Sequence, residues 1–196
     1  MHRSTNWLGV GILCLMIVGF TIPAAAQDAA KLDVSGGYQL LSAKSAGETA
    51  WTNFPKGWYV DVAGNVNKTI AIVGEVGGNY KTETNLGTSV DFKVHPFMGG
   101  MRASFGRTPT LVPFGQVLVG GVNLRASSGA VSVSETDLGF QVGGGVNLML
   151  DKKIGARVGA DYLRIVGKSG GPLSGNQGTN VFRFVVGVLF SVGGTK

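Results

Sequence analysis

From residue 27 onward the chain alternates apolar and polar side chains with period two, in stretches of about ten residues. That rhythm leaves few folds open, because successive side chains point to opposite faces only along a β-strand. Eight such stretches are read: 32–42, 57–67, 70–81, 91–105, 111–125, 137–150, 154–166 and 180–192. The sixth is the clearest. Leu138, Phe140, Val142, Val146, Leu148 and Leu150 share one face, against Gly139, Gln141, Gly143, Gly145, Asn147 and Met149. The last sets Phe182, Phe184, Val186, Val188, Phe190 and Val192 against Arg183, Gly187 and Ser191. In the second, Trp58, Val60, Val62 and Val66 oppose Tyr59, Asp61, Ala63, Asn65 and Asn67. Two stretches leave their facing open. Pro96 and Gly99-Gly100 allow a bulge in 91–105, and Gln116 and Asn123 cannot share a face of 111–125 without a change of phase.

The links between stretches sort into two classes. Those after the second, fourth and sixth are short: Lys68-Thr69, residues 106–110 and residues 151–153. Those after the first, third, fifth and seventh are longer and polar: 43–56, 82–90, 126–136 and 167–179. Short turns at one end and long loops at the other are the asymmetry of outer-membrane barrels, and an even strand number returns both termini to the short-turn side. Lipid tolerates a sheet only if it closes, since unpaired edge groups would find no water there. The apolar face is nearly free of charge in the sixth and eighth stretches, so it is assigned to lipid. The alternative is a secreted soluble barrel with the apolar face inside, holding an apolar ligand.

Residues 1–26 read as a cleaved secretory signal, leaving 27–196 as one barrel domain. Arg3 starts a short positive region, Trp7 to Pro23 is apolar, and Ala24-Ala25-Ala26 is a small-residue cleavage site. The apolar run, of roughly 17 residues, is at the lower limit for a spanning anchor. Cys14 is the only cysteine and lies inside that run after Leu13, a poor context for a lipid anchor; once it is removed, no disulfide or thiolate remains. Arg3 is also the only charged residue of the signal, so the net charge falls from +6 to +5. The basic residues are scattered without a run, which points away from nucleic acid and toward the phosphates of lipopolysaccharide. Glycine, 33 of 196 residues, has no three-residue period, so collagen is excluded.

An eight-stranded lumen is narrow enough to be filled by side chains. Alternation points Glu75, Arg157, Asp161 and Arg183 inward, where charges need partners. The expected pairs are Glu75 with Arg157 or Arg183, and Asp161 with Arg183 or Arg157, with Asp61, Asn65, Gln141 and Asn147 extending the polar lining. The cluster is read as structural. Trp51, Trp58 and Tyr80 are read as interfacial aromatics. One histidine, His95, follows the signal. Ser89, Asp91, Glu83 and Glu135 are candidate triad partners for it, but no spacing singles them out, and His95 is read as interior or structural. One histidine and no cysteine make a zinc site improbable, and no metal or cofactor is expected. Asn67-Lys68-Thr69 reads as a turn.

The chain resembles the outer membrane protein β-barrel superfamily of OmpA-like transmembrane domains and opacity-type porins. The likeness rests on Val34 to Tyr38 (VSGGY), His95 to Arg102 (HPFMGGMR), Val112 to Gly121 (VPFGQVLVGG), Phe140 to Gly145 (FQVGGG), Ile154 to Tyr162 (IGARVGADY) and Phe182 to Gly187 (FRFVVG). It implies an all-β, eight-stranded antiparallel up-and-down barrel in the outer membrane. The implied default role is structural, with assembly by the barrel-assembly machinery. Family members usually finish on an aromatic residue, whereas here Gly193-Gly194-Thr195-Lys196 follow the Gly187, Phe190 and Val192 pattern. The expectation is therefore a non-catalytic integral barrel with a structural or surface-interaction role, with a narrow pore as a variant. Its partners would be outer-membrane lipids and lipopolysaccharide, and a surface ligand would bind through the four longer links. The competing reading is a lipid-modifying barrel enzyme that uses His95.

Overall fold

Glycine-punctuated runs of valine, phenylalanine and leucine form long strands here, as their β-propensity dictates. The computed structural model describes residues 32–45, 49–85, 88–105, 110–129, 131–167 and 178–193. The expected signal over 1–26 and most of the 167–179 link lie outside them. The strands among the described residues are β1 (Leu32–Ser45), β2 (Thr52–Phe54), β3 (Lys56–Asn65), β4 (Ile70–Asn85), β5 (Thr88–Ser104), β6 (Leu111–Ser128), β7 (Val131–Met149), β8 (Ile154–Val166) and β9 (Thr179–Val192). Each pairs antiparallel with the next, save that β2 pairs with β1 alone. The ladder between β1 and β9, from Leu32↔Val192 to Ser45↔Thr179, closes the sheet.

The closed barrel has eight staves, because β2 and β3 are two pieces of one. Tyr38 faces Trp58 and Leu41 faces Phe54, so Gln39 and Leu40 are opposed by the three residues 55–57. That is a β-bulge at Pro55, whose missing N–H could not have joined the ladder. The other turns follow local chemistry. Asn67 Oδ1 accepts from the backbone N–H groups of Thr69 and Ile70, both at 2.8 Å, and closes the link between β3 and β4.

The phase of the two ambiguous stretches is now settled. Along β5, Val94, Pro96, Met98 and Arg102 are buried while Phe97 and Met101 are exposed. Pro96 interrupts the ladder to β4 between Val76↔Phe97 and Asn79↔Val94 without adding a residue. No bulge forms, and alternation runs through. Along β6 the register with β5 is likewise unbroken, so Gln116 points inward and Asn123 outward.

Two of the expected loops are strand nearly throughout, and the 43–56 link is strand at 43–45, 52–54 and 56. The 82–90 link is taken up by β4 and β5 as far as Asn85↔Thr88, and the 126–136 link by β6 and β7 as far as Ser128↔Val131. Thr82 bonds to Asp91 at 2.7 Å and Thr84 to Ser89 at 3.0 Å across the first of these hairpins. Their Thr, Ser and Val content favours pairing over coil. Gly129, at φ +56°, sits in the tight turn of the second. A tilted strand needs only about 9–11 residues to cross the hydrocarbon. β7 has 19, so it projects well beyond it.

Facing separates the two environments. Phe97, Met101, Val117, Phe140, Val142, Phe184 and Val186 are exposed on the outer surface, whereas Asp61, Glu75, Arg102, Gln116, Arg157, Asp161 and Arg183 are buried inside. A soluble barrel with an apolar interior would show the reverse. The alternative of a water-borne, apolar-lined carrier is therefore not realised. Apolar residues do reach the lumen above the charged layers, at Leu41, Val94, Val122, Leu163, Ile165 and Val181.

Inward glycines make room for large polar side chains. A Cβ on Gly143 would stand 2.2 Å from Asp161 Oδ1 and 2.4 Å from the carbonyl oxygen of Ala160. Gly143→Val is expected to lose about 1–3 kcal/mol of stability through overpacking. A lowered temperature for conversion of the folded gel band in detergent would register it, and an unchanged temperature would show that the lumen has slack.

Candidate functional site

Every stave contributes a polar side chain to one connected network inside the barrel. Alternation aims them inward, and the register sets their heights. Asp161 lies opposite Arg183, Arg102 opposite Gln116, and Asn147 opposite Arg157. Asp61 lies opposite Glu75, so two carboxylates are neighbours and each needs a cation.

The cations are three arginines. Arg183 makes a two-pronged contact with Glu75, Nη1 to Oε1 at 2.6 Å and Nη2 to Oε2 at 2.9 Å. It also donates to Asp161 Oδ2 from Nε at 3.1 Å and Nη2 at 2.6 Å, and to Gln39 Oε1 at 3.2 Å. Asp61 is held by Arg102 at 3.1 Å, by Arg157 and by the Ser35 hydroxyl. Arg157 further donates to Asn147 and to Ser35, each at 2.8 Å. Gln116 joins the two groups: its Oε1 accepts from Arg102 at 2.8 and 3.0 Å, and its Nε2 donates to Asp161 Oδ1 at 2.9 Å. Phe114 lies beneath both Arg102 and Arg157, at 4.9 and 5.0 Å from its ring centre.

Of the four inward charges read from sequence, Glu75, Asp161 and Arg183 are thus brought into direct contact. Arg157 touches neither Glu75 nor Asp161, and its acid is Asp61. Asp61 is a central member of the network rather than an extension of its lining. Arg102 was missed because its strand's facing was ambiguous; unbroken alternation from Met98 would have found it. Asn65 lies nearer the short-turn end and donates to Asp33 at 3.0 Å. Asp137, 2% exposed and opposite Val122 in the apolar upper lumen, has no hydrogen-bond partner on either carboxylate oxygen.

The aromatics face outward. Trp58 Nε1 donates to the Tyr80 hydroxyl at 3.2 Å, and that oxygen is 3.4 Å from His95 Nε2. His95 itself stands on the outer face, edge-on to Tyr80, so its expected interior placement is corrected. The phase of β5, now settled, is the physical reason. Trp51 lies 5.3 Å from Phe182, which in turn contacts Tyr162. Three of the four residues considered as triad partners are engaged elsewhere: Asp91 with Thr82, Ser89 with Thr84, Glu83 with Lys81. Among the described residues no cluster of His, Cys, Asp and Glu could hold a metal ion.

The family model described as "Outer membrane protein beta-barrel domain" matches residues 12–190. Solved structures with the same fold include Neisserial surface protein A, at 14% identity over 83% of this chain and 97% of that one, with a TM-score of 0.65. Ail, the attachment invasion locus protein of Yersinia pestis, is 16% identical over 83% of this chain and 99% of that one, with a TM-score of 0.58. It has also been solved with the heparin analogue sucrose octasulfate. OprG of Pseudomonas aeruginosa is 11% identical over 86% and 98%, with a TM-score of 0.52. No curated protein matches the chain.

Removing one partner of a buried ion pair costs about 3–5 kcal/mol, because the other charge is stranded. Asp61→Asn strands two guanidinium groups and is expected to lose stability on that scale in denaturant titrations of the detergent-folded barrel. Adding Arg157→Met should recover part of the loss; strict additivity would show that Arg157 and Asp61 do not act together.

Proposed function

Because the chain belongs to the outer membrane protein β-barrel domain family, we propose that it is a non-catalytic integral barrel with a structural or surface-interaction role and a plugged lumen. The observation that supports this most directly is the network itself. It draws on Ser35 and Gln39 of β1, Asp61 of β3, Glu75 of β4, Arg102 of β5, Gln116 of β6, Asn147 of β7, Arg157 and Asp161 of β8, and Arg183 of β9. Side chains donated from all around a narrow barrel and bonded to one another leave ions little path.

In this reading residues 1–26 are removed on export, and the Gly187, Phe190 and Val192 pattern of β9 presents the barrel to the assembly machinery. The apolar belt contacts outer-membrane lipid and lipopolysaccharide. Surface ligands meet the opposite end, through the 43–56 and 167–179 links and the tips of the β4–β5 and β6–β7 hairpins. Ail's binding of a heparin analogue makes sulfated sugars a reasonable class to test there.

Planar bilayers provide the test. The wild-type barrel should show no steady conductance, and its gel mobility should change on boiling. Sustained ohmic current from the wild type would overturn the plug. His95→Ala should leave assembly and lipid A composition unchanged, since His95 bonds to Tyr80 on the outer surface; altered lipid A acylation in cells expressing the variant would revive the enzymatic reading.

A further inference from the structure

In the charged layers of the lumen Asp61, Glu75 and Asp161 balance Arg102, Arg157 and Arg183, and the further buried acid Asp137 adds no positive charge. The positive excess therefore lies outside. Part of it is in the short turns, at Lys68, Lys152 and Lys153. Among the described residues, five more cations stand on the outer face near the opposite rim: Lys44, Lys56, Lys93, Arg125 and Arg164. There, among the described residues, the one outward-facing acid is Asp91, which accepts a hydrogen bond from Thr82.

Register arranges three of these cations in one row. Lys56 pairs with Tyr80, Tyr80 with Lys93, Lys93 with Arg125, and Arg125 with Ser134. Lys93 and Arg125 are directly opposed, an arrangement that costs stability when no anion intervenes. Asp91 pairs with Thr82 and Ser127, two residues further toward the rim, so it is not between them. Tyr80 stands inside the row and bonds to Trp58. Such aromatics mark the depth at which headgroups begin. Below the row the outer face is apolar, with Val60, Val76, Phe97 and Val119 exposed. The cations thus stand at headgroup depth, beside a surface that takes acyl chains.

We infer that Lys56, Lys93 and Arg125, with Tyr80 between them, form a seat for the phosphorylated headgroup of an outer-leaflet glycolipid. This rests on the outer-membrane reading above and on the long-link end facing the cell exterior. Lysine supplies point charges and arginine a fork for phosphate oxygens. The phosphate removes the repulsion between Lys93 and Arg125, and the acyl chains lie along Phe97 and Val119. A soluble polyanion would satisfy the charges but would gain nothing from the apolar surface below.

The experiment uses the whole mature barrel folded in neutral detergent, titrated with bisphosphorylated lipid A, dephosphorylated lipid A, inorganic phosphate and sucrose octasulfate. A heat-modifiable gel band confirms folding in each sample; its absence in the wild type would count against the membrane-barrel reading itself and so sink the seat with it. Bisphosphorylated lipid A should raise the wild-type unfolding temperature. Lys93→Gln/Arg125→Gln should weaken that binding at least tenfold while leaving the lipid-free barrel as stable or more so, since the repulsion is gone. Lys152→Gln/Lys153→Gln, in a short turn, should bind as the wild type does. The inference is overturned if dephosphorylated lipid A binds equally well, if the Lys93/Arg125 double variant binds normally, or if inorganic phosphate, or sucrose octasulfate in a way that the double variant abolishes, binds as tightly.

Discussion

Closure of the sheet between β1 and β9 is the constraint on which everything else in this molecule depends. In hydrocarbon an unpaired N–H or C=O has no solvent to turn to, and each one left open costs several kcal/mol. The ladder from Leu32↔Val192 to Ser45↔Thr179 removes that edge along the whole height of the wall. Once the sheet is closed, each residue has two choices, lipid or lumen, and period two makes the choice for the entire strand. The exposed Phe184 and Val186 and the buried Arg183 follow from one decision.

In the charged layers side chains fill the lumen, so the groups that point inward there must satisfy one another. Three arginines and three carboxylates do so with help from Gln39, Gln116, Asn147 and Ser35. The arrangement avoids the main hazard of buried charge, a guanidinium or carboxylate without a partner. Glycine is the counterpart of these large side chains: Gly143 stands opposite Asp161, where any Cβ would collide. Asp137 departs from this as an unpartnered carboxylate in the apolar upper lumen, and the Tyr59 hydroxyl and Gln141 Oε1 are likewise buried without a hydrogen-bond partner.

With the interior nearly neutral, the basic character of the chain is a property of its outside. Among the described residues it gathers partly in the short turns and partly at the level of Tyr80, where the apolar belt gives way to polar surface. This keeps charge away from the lumen, where it would need a carboxylate. Trp58, Tyr80 and His95 form a hydrogen-bonded aromatic group at that same level. Aromatic side chains and charge thus share one level of the outer wall.

Strand number, closure and the lipid-facing side were determined by the sequence alone, because alternation and link length are local properties. So were the inward directions of Glu75, Arg157, Asp161 and Arg183. What touches what was decided only by the tertiary structure. Arg157 and Asp61 are 96 residues apart, and their contact depends on the heights that successive registers give β3 and β8 around a closed wall. Arg102 and His95 took their faces from β5, where Pro96 breaks the ladder to β4 but adds no residue, a distinction invisible in composition. The hairpins over 82–90 and 126–136 formed because pairing with a neighbour is worth more to Thr, Ser and Val than coil. The row from Lys56 to Arg125 exists for the same reason as the lumen network: period two sets the face of a residue, but only the register between strands sets its height.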